Sequence, residues 1–315
     1  MVNKEFKSLA EQIEIMKAKG LKFLDEEKAK GILFRENYFF INGYRHLFMK
    51  SNNDRRFIYG ATFEEMYALF TFDRRFRNII FKNVLIIENN IKSMISYQLS
   101  KKYGYKEKDY LRPSSFSLDR KKSRQVNDLI HKMKRQIRVN GAQHTATMHY
   151  SNNYGYVPLW ILVKVLSFGI ISEMYNILKP EDQLSIAEYY DFDINTLSEY
   201  LSILANYRNL CAHEDILFEH KTQKIIEDTK YHKYLDIPKM DNEYIYGKND
   251  LFALIIILKQ MLSDEEFRFL IYEIGYELDI LDGKVDSIPQ EKILDRMGFP
   301  TNFREIINIE GDFKI

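Results

Sequence analysis

Apolar residues along this chain recur three and four positions apart far more often than they alternate, which is the spacing of helices with one buried face. The longest such run opens at Thr62-Phe63-Glu64-Glu65. A hydroxyl residue followed three places later by a glutamate can cap a helix reciprocally. Behind it Phe63, Met66, Phe70, Phe76, Ile80, Val84, Ile87, Ile91 and Met94 keep close to a 3.6-residue period up to Gly104, a natural stop. The spacing predicts one helix of about forty residues, or two joined by a kink. Other helices are predicted at 4–18, 25–36 and 119–139, from Pro158 to Leu178, from Pro180 to about Tyr190, at 249–262 and at 264–280, with short pieces over 289–310. Tyr38–Met49 is aromatic and runs into a loop at 50–54. Pro113-Ser114-Ser115 reads as a loop, and so does 140–157, rich in Gly, Asn and Ser. Residues 214–248 are mixed and polar. There are only six prolines, and strand-like alternation is scarce, so the fold class is all-α.

One more helix carries the candidate chemistry. Thr196-Leu197-Ser198-Glu199 repeats the capping pattern, and Leu197, Leu201, Leu204 and Leu210 follow at helical spacing. The later turns read Asn206-Tyr207-Arg208-Asn209-Leu210-Cys211-Ala212-His213-Glu214. Cutting RNA without a metal needs a group that moves the proton of a 2′-hydroxyl, and histidine titrates in the right range. It also needs a group that steadies charge on the phosphate, and arginine forks onto phosphate oxygens while staying charged. Asn209 and His213, four apart, share a face if the helix persists, so Asn209 can set the imidazole tautomer. Arg208 lies about 140° around and 7.5 Å along the axis from His213, a loose pair in one copy and a tighter one across two. Similar Arg-to-His spacings occur from Arg124 to His131 and from Arg138 to His144, without the Arg-Asn-x-x-x-His form.

Arg208-Asn209-Leu210-Cys211-Ala212-His213 resembles the signature of the HEPN ribonuclease superfamily, and the wider chain resembles the Abi-like (AbiD/AbiF) abortive-infection proteins of bacteria. Three further blocks carry the likeness: Asn42-Gly43-Tyr44-Arg45; Thr62-Phe63-Glu64-Glu65 with Phe72-Asp73-Arg74-Arg75-Phe76-Arg77 and Ile87-Glu88; and Val157-Pro158-Leu159-Trp160 through Ser167-Phe168-Gly169. It covers roughly residues 30–230 and departs at Lys164, where the family carries an acidic residue. The resemblance implies a HEPN-type helical bundle with additions at both ends: an N-terminal segment over 1–60, a HEPN-like core over 61–230 and an extension over 231–315. It also implies a homodimer that cleaves RNA in phage defence without a metal, with Arg208, Asn209 and His213 as catalytic residues. A bound guide or regulatory RNA fits the resemblance; no other cofactor is expected. The alternatives are a non-catalytic RNA-binding or sensor module, or one half of a toxin–antitoxin pair.

Composition bounds the rest. Net charge is +1, so any RNA path must be a local patch. The best stretch is 119–139, where Arg120, Lys121, Lys122, Arg124, Lys132, Lys134, Arg135 and Arg138 face only Asp119 and Asp128. His144 and His149 lie among Tyr150, Tyr154 and Tyr156, rings that can stack bases or simply line a polar loop. No ligand set with metal spacing accompanies them. Glu88, a carboxylate in the long apolar helix, either pairs with Arg208 or faces solvent. Asp73-Arg74-Arg75 reads as a local ion-pair cluster. Cys211, the single cysteine, excludes an intramolecular disulfide and suits a buried small side chain better than a nucleophile. Residues 1–7 lack a signal-peptide core, and the apolar stretches are short or interrupted, so no membrane span and a cytoplasmic location are expected.

Overall fold

The Thr62 cap starts the element on which most of the molecule is laid. In the computed structural model, which describes residues 5–51 and 53–309, the Glu65 N–H donates to the Thr62 hydroxyl at 3.1 Å and the Thr62 N–H to the Glu65 carboxylate at 2.8 Å. The helix then runs unbroken from Phe63 to Tyr103, about 60 Å, until Gly104 at φ +97° ends it. Of the two expectations, the single helix holds.

Three helices precede it: α1 (Leu9–Ala18), α2 (Glu26–Glu36) and α3 (Tyr38–Asn42), the last leading into a 3₁₀ turn at Gly43–Phe48. The long helix is α4. After it come α5 (Glu107–Tyr110), α6 (Ser123–Asn140), α7 (Thr145–Tyr154), α8 (Leu159–Val165), α9 (Phe168–Asn176), α10 (Pro180–Ala187) and α11 (Ile194–Ala212). The chain closes with α12 (Lys230–Tyr234), α13 (Leu251–Met261), α14 (Asp264–Asp282) and α15 (Gln290–Met297). A two-residue hairpin, Lys239–Met240 with Glu243–Tyr244, turns through Asp241 and Asn242, both at positive φ. The fold is all-α apart from that hairpin.

Helices α8, α11 and α14 pack along α4, α9 packs on α11, and α6 lies over α8 and α9. Glu88 meets Arg208 and Asp73 meets Leu217, so α11 runs antiparallel to α4. Every residue of α13 is buried, the mark of a helix that is apolar all round. Its Lys259 is accommodated by Asp264 at 2.8 Å and by the ring of Phe267. Buried apolar side chains from Ile13 to Ile309 form one cluster, so 231–309 docks on the rest. Arg75–Glu277 and Lys82–Glu273 tie α14 to α4, and the Asp286 and Ser287 N–H groups donate to Glu65 at 2.8 and 2.7 Å.

Several local expectations are corrected. The stretch 140–157 is not a loop but holds α7, capped by His144, whose Nδ1 accepts from the Thr147 N–H, and ended by Gly155 at φ +72°. The apolar run from Pro158 to Leu178 is two helices, because Ser167 caps α9 and breaks the run. Pro158 is the cap of α8 rather than its first residue. Helix α11 starts before Thr196: Asp193 accepts from the Asn195 and Thr196 N–H groups, and the Thr196 hydroxyl donates to it. Pro113–Ser115 forms a 3₁₀ turn. The expected pieces at 4–18, 50–54 and 289–310 fall partly outside the described residues.

Glu65 serves two purposes, so its loss should cost more than loss of the cap alone. Thr62→Ala is expected to lower stability by about 1 kcal/mol. Glu65→Ala should cost about 2–3 kcal/mol, since two loop N–H groups lose their acceptor as well. Urea unfolding of both variants compares them. A second expectation concerns pH. Burial holds the His232 imidazole below its ordinary value; Nδ1 accepts from the Thr229 N–H and Nε2 donates to the Gly247 carbonyl. A base depressed in the folded state binds more protons when unfolded, so its contribution is present above the unfolded value, about 6.5, and lost as pH falls below it. The urea midpoint should drop from pH 7.5 to 5.5, and by less in His232→Gln.

Candidate functional site

Helix α11 ends in a defined way. His213 is the C-cap, the Glu214 N–H donates to the Cys211 carbonyl at 3.4 Å and the Asp215 N–H to the Leu210 carbonyl at 3.2 Å. That pairing, with Glu214 left-handed at φ +57°, is a Schellman close. It turns the chain sharply after His213 and leaves the imidazole exposed.

The loop that follows hangs from Asp73. This carboxylate is fully buried on α4 and accepts from the Tyr44 hydroxyl at 2.6 Å, from Arg77 Nη1, and from the Leu217 and Phe218 N–H groups at 3.0 and 2.8 Å. Arg77 Nη1 also reaches the Asp215 carbonyl at 3.3 Å. Burial pushes the Asp73 carboxyl up, against the pull of Arg77 and the other donors. It pushes the Tyr44 hydroxyl up as well, so that group stays a donor. Far from being a local cluster with its sequence neighbours, Asp73 joins three parts of the chain, while Arg74 turns to Glu36 and Arg75 to Glu277. His220 secures the far side: its Nε2 lies 2.8 Å from Asn206 Oδ1, and burial holds it below its ordinary value.

His213 therefore sits at the edge of a cleft of about 850 Å³. Arg35, Arg45 and Arg74 line it, with Phe39 and Phe40 exposed beside them. Glu36 links two of these arginines, and its hydrogen bond to Arg74 holds its carboxyl below the usual range. Arg208 occupies a different aspect of α11. Its Nε donates to Glu88 Oε2 at 3.2 Å, and its guanidinium lies over Phe81. Glu88 is buried and takes Lys92 on its other oxygen at 2.6 Å. The Arg208–Glu88 pairing offered by the sequence is thus formed. Both terminal nitrogens of Arg208 are without a hydrogen bond among the described residues.

The structure does not bring every expected residue together. His213 lines the cleft and Arg208 does not. Asn209 and His213 are both exposed, and no side-chain hydrogen bond joins them. The basic stretch lies elsewhere: Lys122 donates to the Asn176 carbonyl, Asn176 Oδ1 accepts from Ser198, and Ser198 is about 15 Å up α11 from Arg208. In that stretch Lys132 pairs with Glu173 at 2.6 Å and Arg124 approaches Asp128 at 3.9 Å. Arg120, Lys121, Lys134, Arg135 and Arg138 are exposed with no carboxylate partner among the described residues. Cys211 is buried, with its thiol pushed up to about 12 by burial. Among the described residues no group of three or more His, Cys, Asp or Glu is placed to hold a metal ion, and no helix is long and apolar enough to cross a membrane.

Tyr44, Asp73 and Arg77 fall in the blocks that carry the family resemblance, but the sequence alone assigns them no anchoring role and does not group Arg35, Arg45 and Arg74 around a cleft. The signal for Asp73 is its position: three residues after Phe70 and three before Phe76, it falls on the apolar face of α4, with Arg77 one turn on.

These features define a class: an all-α protein that presents a histidine at the end of one helix, anchored by a buried acid–arginine pair on another. A family model described as Abi-like protein matches residues 31–219, and the chain belongs to that family. No curated protein and no solved structure matches it. The match ends one residue beyond Phe218, so it takes in the Asp73 anchor and leaves α12–α15 outside. Membership ties the chain to abortive infection, a form of phage defence.

Asp73→Asn should cost about 3 kcal/mol or more, because it removes a buried charge and leaves Arg77 unpaired. Tyr44→Phe should cost about 1 kcal/mol. Amide exchange at Leu217 and Phe218 should accelerate in Asp73→Asn while amides at the start of α11 keep their protection.

Proposed function

We propose that this chain is a metal-independent endoribonuclease of abortive infection, of the HEPN type, whose site is completed by a second copy. One observation carries the reading. The buried Glu88 holds Arg208 by Nε, which leaves its two terminal nitrogens to fork onto a phosphate, while His213 stands exposed just past the end of the same helix. A single copy separates the two groups around the helix axis. A second copy facing the first across α11 sets the Arg208 of one beside the His213 of the other.

In that site His213 takes the proton of the 2′-hydroxyl. The 2′-oxygen attacks phosphorus and the bond to the 5′-oxygen breaks. The same residue of the second copy returns a proton to that oxygen. Arg208 steadies the charge on the non-bridging oxygens. Asn209, exposed one turn before His213, orients the imidazole once the copies meet. The products are a 2′,3′-cyclic phosphate and a 5′-hydroxyl, and DNA, lacking the attacking group, is inert. The cleft arginines and the exposed cations of α6 offer paths for the RNA backbone.

Purified protein incubated with RNA in excess EDTA should cut it and leave cyclic ends. His213→Ala should lower the rate by roughly 10²–10⁴-fold. Arg208→Ala should lower it by about 10²–10³-fold, and Arg208→Lys should lose most of this too, because an ammonium cannot fork. Cys211→Ala should cut normally. RNA binding without cleavage by the parent and by all variants would instead assign the chain to a binding or sensor module.

A further inference from the structure

From residue 129 to residue 172 the chain has no Asp or Glu, although acids make up 45 of its 315 residues. The same span carries Lys132, Lys134, Arg135, Arg138 and Lys164. It folds as α6, the turn that leads directly into α7, and then α8 and α9 up to Ser172. Glu173, just past the span, pairs with Lys132 at 2.6 Å, and the other cations of the span have no carboxylate partner among the described residues, which suits a polyanion.

The aromatic side chains of this region form a connected surface rather than a core. Tyr150 and Tyr154 have ring centroids 5.3 Å apart, Tyr154 and Tyr156 6.3 Å, Tyr156 and Tyr105 5.8 Å, and Tyr105 and Trp160 5.5 Å. Tyr154 is 57% exposed, Trp160 42% and Tyr105 40%. Lys106 Nζ lies 4.7 Å from the Tyr156 centroid. Glu107, which follows it, is taken up by the Val157 N–H. Exposed α7 residues beside the rings, Ser151, Asn152 and Asn153, carry groups able to bond base edges. Tyr105 follows the end of α4, and Glu88 lies fifteen residues before Tyr103 on that helix, about 22 Å away along its axis. The surface is therefore distinct from the one that holds Arg208.

We propose that this aromatic surface, flanked by α6, binds single-stranded nucleic acid, with the rings of Tyr105, Tyr150, Tyr154, Tyr156 and Trp160 stacking successive unpaired bases and the cations of α6 following the backbone. Stacking needs flat exposed rings and tolerates any base, and a site of about five nucleotides matches five rings. The alternative occupant, a second copy of this chain, is disfavoured by charge, since two such faces would bring basic surfaces together. The inference goes beyond the cleavage reading, because a chain that never cuts RNA can still hold a strand here.

Trp160 is the only tryptophan of the chain, so it reports on its own surface. The test titrates the intact chain, in both the parent and the His213→Ala form, with an oligouridylate of about 12 nucleotides and with a duplex of equal length. The single strand should quench Trp160 emission and bind more tightly than the duplex, with an affinity that falls as salt rises. Tyr154→Ala should weaken binding by about 5- to 100-fold, while Tyr154→Phe, which keeps the ring, should stay within about twofold. Lys134→Glu with Arg138→Glu should flatten the salt dependence. Tyr154 is exposed, and the urea midpoint of each variant checks that it folds. Binding that leaves Trp160 emission unmoved, an affinity indifferent to Tyr154→Ala, equal affinity for the duplex, or no binding at all overturns the proposal. So does a Tyr154→Ala protein that turns from dimer to monomer in sedimentation with its RNA affinity intact, which would make this face an interface between copies. Cleavage by the parent is scored separately, so failure here and failure of the ribonuclease reading are distinguishable.

Discussion

A carboxylate with no access to water must have its charge met inside the protein, and much of this architecture follows from how Asp73 meets that requirement. Its donors come from the 3₁₀ turn before α4, from α4 one turn on, and from the backbone after α11. None of the three can move without leaving a buried polar group unpaired. Secondary structure alone would let α11 end anywhere and release its tail. The anchor instead fixes the exit path, and with it the place of the exposed His213. Glu65, in the first turn of the same helix, does something similar, because one side chain both caps α4 and takes up the 286–287 backbone.

The region matched by the family model spans Tyr44, Asp73, Arg208 and His213. The blocks around Tyr44, Asp73 and Arg208–His213 are far apart in sequence and adjacent in space. Two different uses of buried carboxylates account for this. Asp73 is spent on the backbone and on Arg77 and holds a loop. Glu88 is spent on Lys92 and on one edge of Arg208 and holds a side chain, whose other edge stays available. Helices α13 and α14, outside the matched region, brace α4 from behind rather than shaping the cleft.

What could be read from the sequence was local. The Thr62 box was legible because both its partners lie within one turn, and α4 was legible because its stripe stays in phase from Phe63 to Met94, about nine turns. The Thr196 box misled because Asp193, three residues earlier, caps the helix instead, accepting from the Asn195 and Thr196 N–H groups. Helix α7 was invisible because only Thr147 is buried on it, so it has no apolar stripe to detect. The break between α8 and α9 was hidden by apolar residues on both sides of Ser167. Asp73 was misread because a row of charges looks the same in water and in a core. Only its phase on α4 told them apart, and its true partners are up to 145 residues away. Arg208, Asn209 and His213 could be picked out by residue type, but which of them share a surface depended on where α11 stops.

The distance between Asp73 and its last partners also sets an order of assembly. Helix α4 leaves the ribosome long before residues 217 and 218 exist, and until they arrive its buried acid has only Tyr44 and Arg77 to meet it. A nascent chain that stops at residue 213 contains every residue from Asn206 to His213 and the Glu88 that holds Arg208, but not the turn after His213, because the loop that turns the chain away has not been hung. The exposed histidine thus acquires its setting late in synthesis, when the helices that surround it are already in place.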